Sequence, residues 1–400
     1  MKKFITLIFA VTVLCTTSFA KNFFTSRIFE VKFGADLGLS NNLLSCKDIM
    51  KKNLVIDLRK MADECPKSGF DIRGNFDPSL EVNLNIFGLN LGLATGIESY
   101  EKFVIGKDLF NFLGYGNSVG QKIDINFNNT TDIFYYTQAT VGFNIGKLKI
   151  KAQPALFVPV LSIHDSGASF TVLNDADGNL KVEMNMNMDL YSTVPLKSVD
   201  GDIEFESTSN ILAGSYGFDL GGSVGFPITD SFLVEGVCRI PVIPGHLKNK
   251  ATINGGFIYD MTLTDFENSK NDSKETTVTN ESAYYTLNRP LKVGVYASKD
   301  LLGTLLNARA GGGLGIQRPF CIGVYCYPEY YAGITLNLIN IFKVGLSTEY
   351  TNQMFKHQIG TSVNVRLIQL DFGISSQSSS FKKSFEVSGV GAYAYVTIGF

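Results

Sequence analysis

The sequence predicts an all-β fold, a transmembrane antiparallel β-barrel of about 14 strands with a short helical plug or cap segment. Three observations predict it. The final stretch sorts into one apolar and one small or hydroxylated stripe, the apolarity of the chain is spread over many short alternating runs, and tight turns alternate with long polar links.

Residues 1–20, "MKKFITLIFAVTVLCTTSFA", read as a secretory signal. Lys2 and Lys3 give a cationic start, an apolar stretch runs from Phe4 to Cys15, and Ser18 and Ala20 are placed for cleavage before Lys21. The barrel is expected over 21–400. Hydrophobic residues make up 45% of the chain and charged ones 18%, yet no uninterrupted apolar run after the signal is long enough for a helical span. The formal net charge of -2 leaves no basic excess to neutralise phosphates, which excludes a nucleic-acid partner.

The first strand is expected at about Phe29 to Leu39. The following segment, 41–70, breaks the period of two. Leu43, Leu44, Met50, Leu54, Leu58 and Met61 recur at helical spacing, and Ser45 with Asp48 resembles a capping arrangement. Helices this apolar require cover. They either plug the barrel mouth or lumen, or cap it by packing on the loops.

Beyond them the alternation resumes. Leu80, Val82, Leu84 and Ile86 lead through a tight turn near Gly88 to Leu89, Leu91 and Leu93, an antiparallel hairpin. Similar turns are expected at Ile145–Lys147, Pro227–Asp230, Lys299–Gly303, Asn340–Lys343 and near Ile368. The links on the other side, 101–132, 165–210 and 246–283, are longer and more polar. Short turns on one rim and long loops on the other are the layout of an outer-membrane barrel.

In the last strand, Val390, Ala392, Ala394, Val396, Ile398 and Phe400 form the apolar stripe, and Gly389, Gly391, Tyr393, Tyr395, Thr397 and Gly399 the other. Hydrocarbon offers no water to satisfy peptide groups, so the sheet must close on itself, apolar stripe to lipid and polar stripe to the lumen. The terminal "VTIGF" resembles the signature read by bacterial barrel-assembly machinery, with Phe400 as its last residue.

Candidate binding residues follow. Phe103, Leu109, Phe110, Phe112 and Leu113 make a long outer link apolar, and exposed apolar patches mark binding surfaces. With Leu43, Leu44, Leu54, Leu58 and Met61 of the helical segment they form a possible capture patch and plug; the alternative is that they only pack loop on loop. Phe157, Tyr393 and Tyr395 are expected in the lumen, as are Lys149 and Lys151, either to meet a carboxylate or as solvated charges.

Catalysis is not expected. His164, His246 and His357 lack triad spacing, and "NDADGN" at 174–179 reads as a hairpin turn, since the twelfth position from Asp175 is Met186 rather than Glu. No cofactor or metal is expected. A Cys321–Cys326 bridge would hold the "CIGVYC" loop, a Cys46–Cys65 bridge would staple the helical segment, and Cys238 would stay unpaired; spacing leaves these pairings open.

The signal, the strand layout, Phe400, "GLSNNLLSCKDIMKKNLVIDLRKM" and "KAQPALFVPV" together resemble the FadL-like long-chain fatty acid transporter family of outer-membrane barrels, in its divergent branch. The helical segment here follows a strand, whereas that family's plug precedes the first one. The resemblance implies a monomer in the outer membrane of a diderm bacterium, in contact with membrane lipid. It implies passive uptake of hydrophobic small molecules, long-chain fatty acids above all. A structural or adhesive barrel, or a general porin, is the alternative.

Overall fold

The computed structural model describes residues 27–46, 57–176, 179–199, 202–205, 214–262, 265–338 and 341–400. The chain begins with β1 (Phe29–Asn41), then α1 (Leu58–Glu64), β2 (Phe70–Ile86), β3 (Leu89–Ile105) and α2 (Lys107–Tyr115). Two long strands follow, β4 (Lys122–Ile145) and β5 (Leu148–Asn174), then β6 (Asn179–Ser192) and a small hairpin of β7 (Leu196–Val199) and β8 (Asp202–Phe205). Next come β9 (Gly217–Thr229), β10 (Phe232–Ile243), β11 (Gly245–Thr262), β12 (Asp265–Leu287) and β13 (Leu291–Leu301). The remainder is β14 (Leu306–Gln317), β15 (Tyr325–Leu338), β16 (Phe342–Thr351), β17 (Met354–Val365), β18 (Ile368–Ser378), α3 (Phe381–Phe385) and β19 (Gly389–Gly399).

The pairings are antiparallel and close on themselves, because β1 pairs with both β2 and β19. All six expected short turns join strands on one rim: β2 to β3, β4 to β5, β9 to β10, β13 to β14, β15 to β16 and β17 to β18. The chain end lies on that rim too, where the Ile28 N–H donates to the Phe400 carbonyl at 2.7 Å and the Phe400 N–H to the Phe29 carbonyl at 3.0 Å.

The sheet contains 17 strands, of which 14 form the closed circuit and three an extension. The extension lies in links read as loops. β5 pairs with β9 over Lys149–Phe157 and with β6 from Leu161 upward. β10 pairs with β9 and β13, while its continuation β11 pairs with β6 and β12. The barrel circuit therefore passes from β5 to β9, β10 and β13, and β6, β11 and β12 rise from it as an extension. Alternation persists through these polar stretches, so they pair as strands rather than loop back.

The outward stripe is apolar on strand after strand: Leu91, Val141, Leu156, Val224, Val295, Leu314, Ile334, Leu346, Ile359 and Ile374 are all exposed there. The inward stripe is polar or aromatic, with Asp219, Lys356, Asp371, Tyr393 and Thr397 buried.

At the long-loop rim α1 packs on α2. Asp57 caps α1 by accepting from the Lys60 N–H at 3.0 Å. The helices come close because Gly114 has no side chain; a Cβ there would lie 2.8 Å from the Leu58 carbonyl and 3.1 Å from the Ala62 Cβ. Between them Leu43, Ala62, Cys65, Phe70 and Phe110 form a buried cluster, flanked by Leu44, Met61, Ile72 and Ile105. The described part of segment 41–70 thus forms a cap on the strand ends at this rim. Leu54 and the Asp48 of the expected capping arrangement lie outside the described residues.

Candidate channel lumen

The period of two that turns Leu and Val outward turns their neighbours into the lumen, and those neighbours bond to one another across it. Near the short-turn rim the Lys32 ammonium sits 3.8 Å from the Tyr395 ring centroid, and Asn83 donates to Glu30 at 3.1 Å. At the same level Arg309 pairs with Glu235 at 3.1 Å, and further up Lys356 pairs with Asp36 at 3.8 Å and Lys292 with Glu329 at 2.9 Å.

The densest set is centred on Glu98 of β3. Its carboxylate accepts from Arg239 at 2.9 Å and from Arg289 at 2.7 Å, and the Tyr100 hydroxyl donates to it as well. Arg289 also reaches Asp219 at 2.9 Å and lies 4.4 Å from the Tyr136 ring centroid. β3 and β10 are not neighbours in the sheet, so this lattice spans a chord of the lumen.

Beside it Tyr100, Phe134, Phe157, Leu247 and Leu287 form a buried cluster, with Tyr136, Tyr191 and Tyr285 packed against it. Phe134 meets Phe157 edge-on at 6.0 Å. Leu247 and Leu287 come from the foot of the β11–β12 extension and cover the aromatic cluster. At the upper mouth Arg318 makes a bidentate pair with Asp132 at 2.8 and 2.7 Å and donates to the Ile163 carbonyl at 2.9 Å.

At the level of Glu98 the wall itself changes. The β2–β3 ladder runs from Phe70↔Ile105 to Gly74↔Glu101 and resumes only at Ser79↔Gly96. Pro78 brings no N–H to this stretch. Side chains stand in: the Phe76 N–H donates to the Ser99 hydroxyl at 2.6 Å, and the Ser99 N–H donates to Asp77 at 2.8 Å.

Phe157, Tyr393 and Tyr395 point inward and are buried. Lys149 and Lys151 share the inward stripe of β5 with Phe157, opposite Gly225 and Ser223. The apolar residues of 103–113 are not one patch. Phe110 is in the cap core, Leu109 and Phe112 are half-buried on α2, and Leu113 and Phe103 are exposed, Phe103 within β3 rather than a loop. Leu43 is buried in the cap, Leu44 and Met61 pack against it, and Leu58 is exposed.

Cys46, Cys65, Cys238, Cys321 and Cys326 are free thiols, so neither suggested bridge is formed. Cys65 is packed in the cap core, where burial pushes its thiol up against the opposing pull of Lys107, and Cys321 is occupied by Asn288 and the Pro319 carbonyl. His246 stacks on Tyr284 and His357 on Phe385.

The cross-lumen lattice was missed by sequence reasoning, and only the Asp77-Pro78 pair inside an alternating run signalled the ladder lapse, because proline is rare within paired strands. A cavity of about 340 Å³ lies beside α2 and another of about 520 Å³ on the outward face of β13–β16.

No protein-family profile matches the chain, and no curated protein sequence does. Solved structures do. The chain is similar to the toluene transporter TodX of P. putida, at 8% identity over 94% of this chain and 91% of that one, with a TM-score of 0.50. It is also similar to the Ralstonia pickettii toluene transporter TbuX, at 8% identity over 94% and 90%, with a TM-score of 0.47. The likeness is one of fold.

Proposed function

We propose that this protein is an outer-membrane channel for the passive uptake of hydrophobic small molecules, with long-chain fatty acids as its principal cargo. The single observation that carries the reading is a covered aromatic cluster inside the mouth, standing on a charge lattice at the height where the β2–β3 ladder lapses.

An apolar molecule gains by leaving water for the rings of Tyr100, Phe134 and Phe157. It gains nothing by going straight down. Glu98, Arg239, Arg289 and Asp219 hold one another, and a molecule without charge cannot replace those bonds. The path of lower cost is sideways, between Asn75–Pro78 and Ile97–Tyr100, where side-chain hydrogen bonds replace the ladder. Cargo then enters the bilayer without crossing the charged lumen. A neighbour in fold is a toluene transporter, which is in keeping with cargo of this kind. Mutually satisfied lumen charges also suit such a channel better than an open ion pore.

A structural or adhesive barrel is the second reading, favoured by the extension of β6, β11 and β12, which adds a large outer sheet. The two readings part on flux. Vesicles carrying the purified barrel should take up labelled oleate, and toluene, faster than empty vesicles, while sucrose flux stays at background. Equal oleate rates with and without protein would remove the transport reading; sucrose flux equal to that of oleate would restore the porin.

A further inference from the structure

We infer that α3 is a foot that seats the barrel in the outer leaflet of its membrane, an inference that rests on the outer-membrane reading above. The helix does not join the other two in the cap. It folds down over the outward face of β17 and β18.

The register shows this. On β17 the outward stripe runs Val365, Val363, Thr361, Ile359, His357, Phe355, and Ile359 stands opposite the exposed Leu346 of β16. His357 and Phe355 therefore face the same side as the apolar belt. Phe385 of α3 stacks on the His357 ring at 3.9 Å, and Phe381 meets Phe355 edge-on at 5.2 Å. The Ser384 hydroxyl lies 2.9 Å from His357 Nε2, and the Ser376 hydroxyl donates to the Ser384 carbonyl. These contacts fix α3 on the wall rather than above it.

The height fits one occupant. His357 lies eight residues above Val365 at the short-turn rim. With a rise of about 3.3 Å per residue and a tilt of about 40°, that is about 20 Å along the barrel axis, near the upper edge of an apolar band about 25 Å tall. At that edge α3 leaves Phe381 55% and Phe385 63% exposed, with the exposed Lys382 beside them. Tyr330 and Tyr350 continue the ring cluster along the wall through Phe355, Tyr350 lying 4.3 Å from it. Aromatic side chains and a flanking lysine, continuous with a lipid-facing belt, match the boundary between acyl chains and head groups.

The foot is tied to the cap. Lys383 bonds Glu386 at 3.0 Å and Glu64 of α1 at 3.5 Å, and the Cys46 N–H donates to the Val387 carbonyl at 3.0 Å. Seating α3 in the leaflet thereby fixes the cap's position relative to the membrane surface.

The chain has no tryptophan, so a single introduced one reports its own surroundings. Phe385→Trp, with Phe381→Trp as a second foot reporter in case the first does not fold, is compared with Leu346→Trp on the mid-wall and Leu113→Trp on the cap. Each is placed in phospholipid vesicles containing either a lipid spin-labelled near the head group or one labelled deep in the acyl chain, with acrylamide as the aqueous quencher.

The foot reporter should lose at least half its emission to the shallow label and little to acrylamide. Leu346→Trp should respond to the deep label, and Leu113→Trp to acrylamide alone. A foot reporter that behaves like Leu113→Trp while Leu346→Trp is quenched from the lipid overturns the inference and leaves the membrane reading standing. A mid-wall reporter untouched by either lipid label overturns the membrane reading, and the foot with it.

Discussion

Glu98 receives guanidinium groups from Arg239 and Arg289, residues 141 and 191 positions away along the chain, and in the folded barrel these are its nearest counter-charges. Removing it strands two cations in a lumen where each is at least four-fifths covered. Glu98→Ala should therefore cost about 3 kcal/mol, the lower end for a broken buried pair, because Asp219 still holds Arg289. Urea unfolding in detergent micelles would measure it, and the same variant should pass small ions faster than the parent. Gly217 makes a different point. A Cβ there would come 2.1 Å from Phe157 Cζ, so the aromatic cluster depends on a missing side chain as much as on its rings. Gly217→Ala should lower stability by about 1–3 kcal/mol through overpacking. Adding Phe157→Leu should recover part of that loss, whereas two independent defects would simply add.

Among the elements, the β2–β3 hairpin combines a regular foot with an irregular shoulder. Amides paired in 79–86 should exchange slowly, and those of 75–77 and 97–100 faster, since the Ser99 hydroxyl and the Asp77 carboxylate stand in for ladder partners. Ser99→Ala leaves the Phe76 N–H without its acceptor; exchange there should rise further while 79–86 is unchanged, and oleate uptake should quicken if this seam is the exit. Hydrogen-exchange mass spectrometry reads the first effect and vesicle uptake the second. The hairpin also shows what the sequence exposes. Leu80 to Leu93 announced the strands and the turn at Gly88, because a lipid-facing stripe requires apolar residues at every second position. Above the apolar belt that requirement lapses. Asn126 and Asn128 of β4, and Asn185 and Asn187 of β6, alternate with apolar residues in paired strands, yet their polarity reads as loop. Lumen partners such as Glu98 and Arg239 leave no local trace, since their meeting is fixed by ring closure rather than by spacing.

For the whole molecule, the decisive feature is that the barrel closes beneath its own extension. β10 pairs directly with β13 from Phe232↔Lys299 to Arg239↔Lys292, so the wall does not need β11 or β12 to be continuous. Replacing residues 245–287 with a short turn should thus leave a folded barrel that still shows heat-modifiable migration on a gel. The loss should fall elsewhere. Leu247 and Leu287 are fully buried against the ring cluster of Tyr100, Phe134 and Phe157, and without them that cluster opens to water. Oleate binding should then weaken several-fold while the wall remains intact, because the apolar area that shelters cargo shrinks and the hydrogen-bonded ring does not. A truncated chain that fails to form the barrel would mean that the extension is part of the folding unit. One that folds and binds oleate as tightly as the parent would mean that the covered cluster is not where cargo rests.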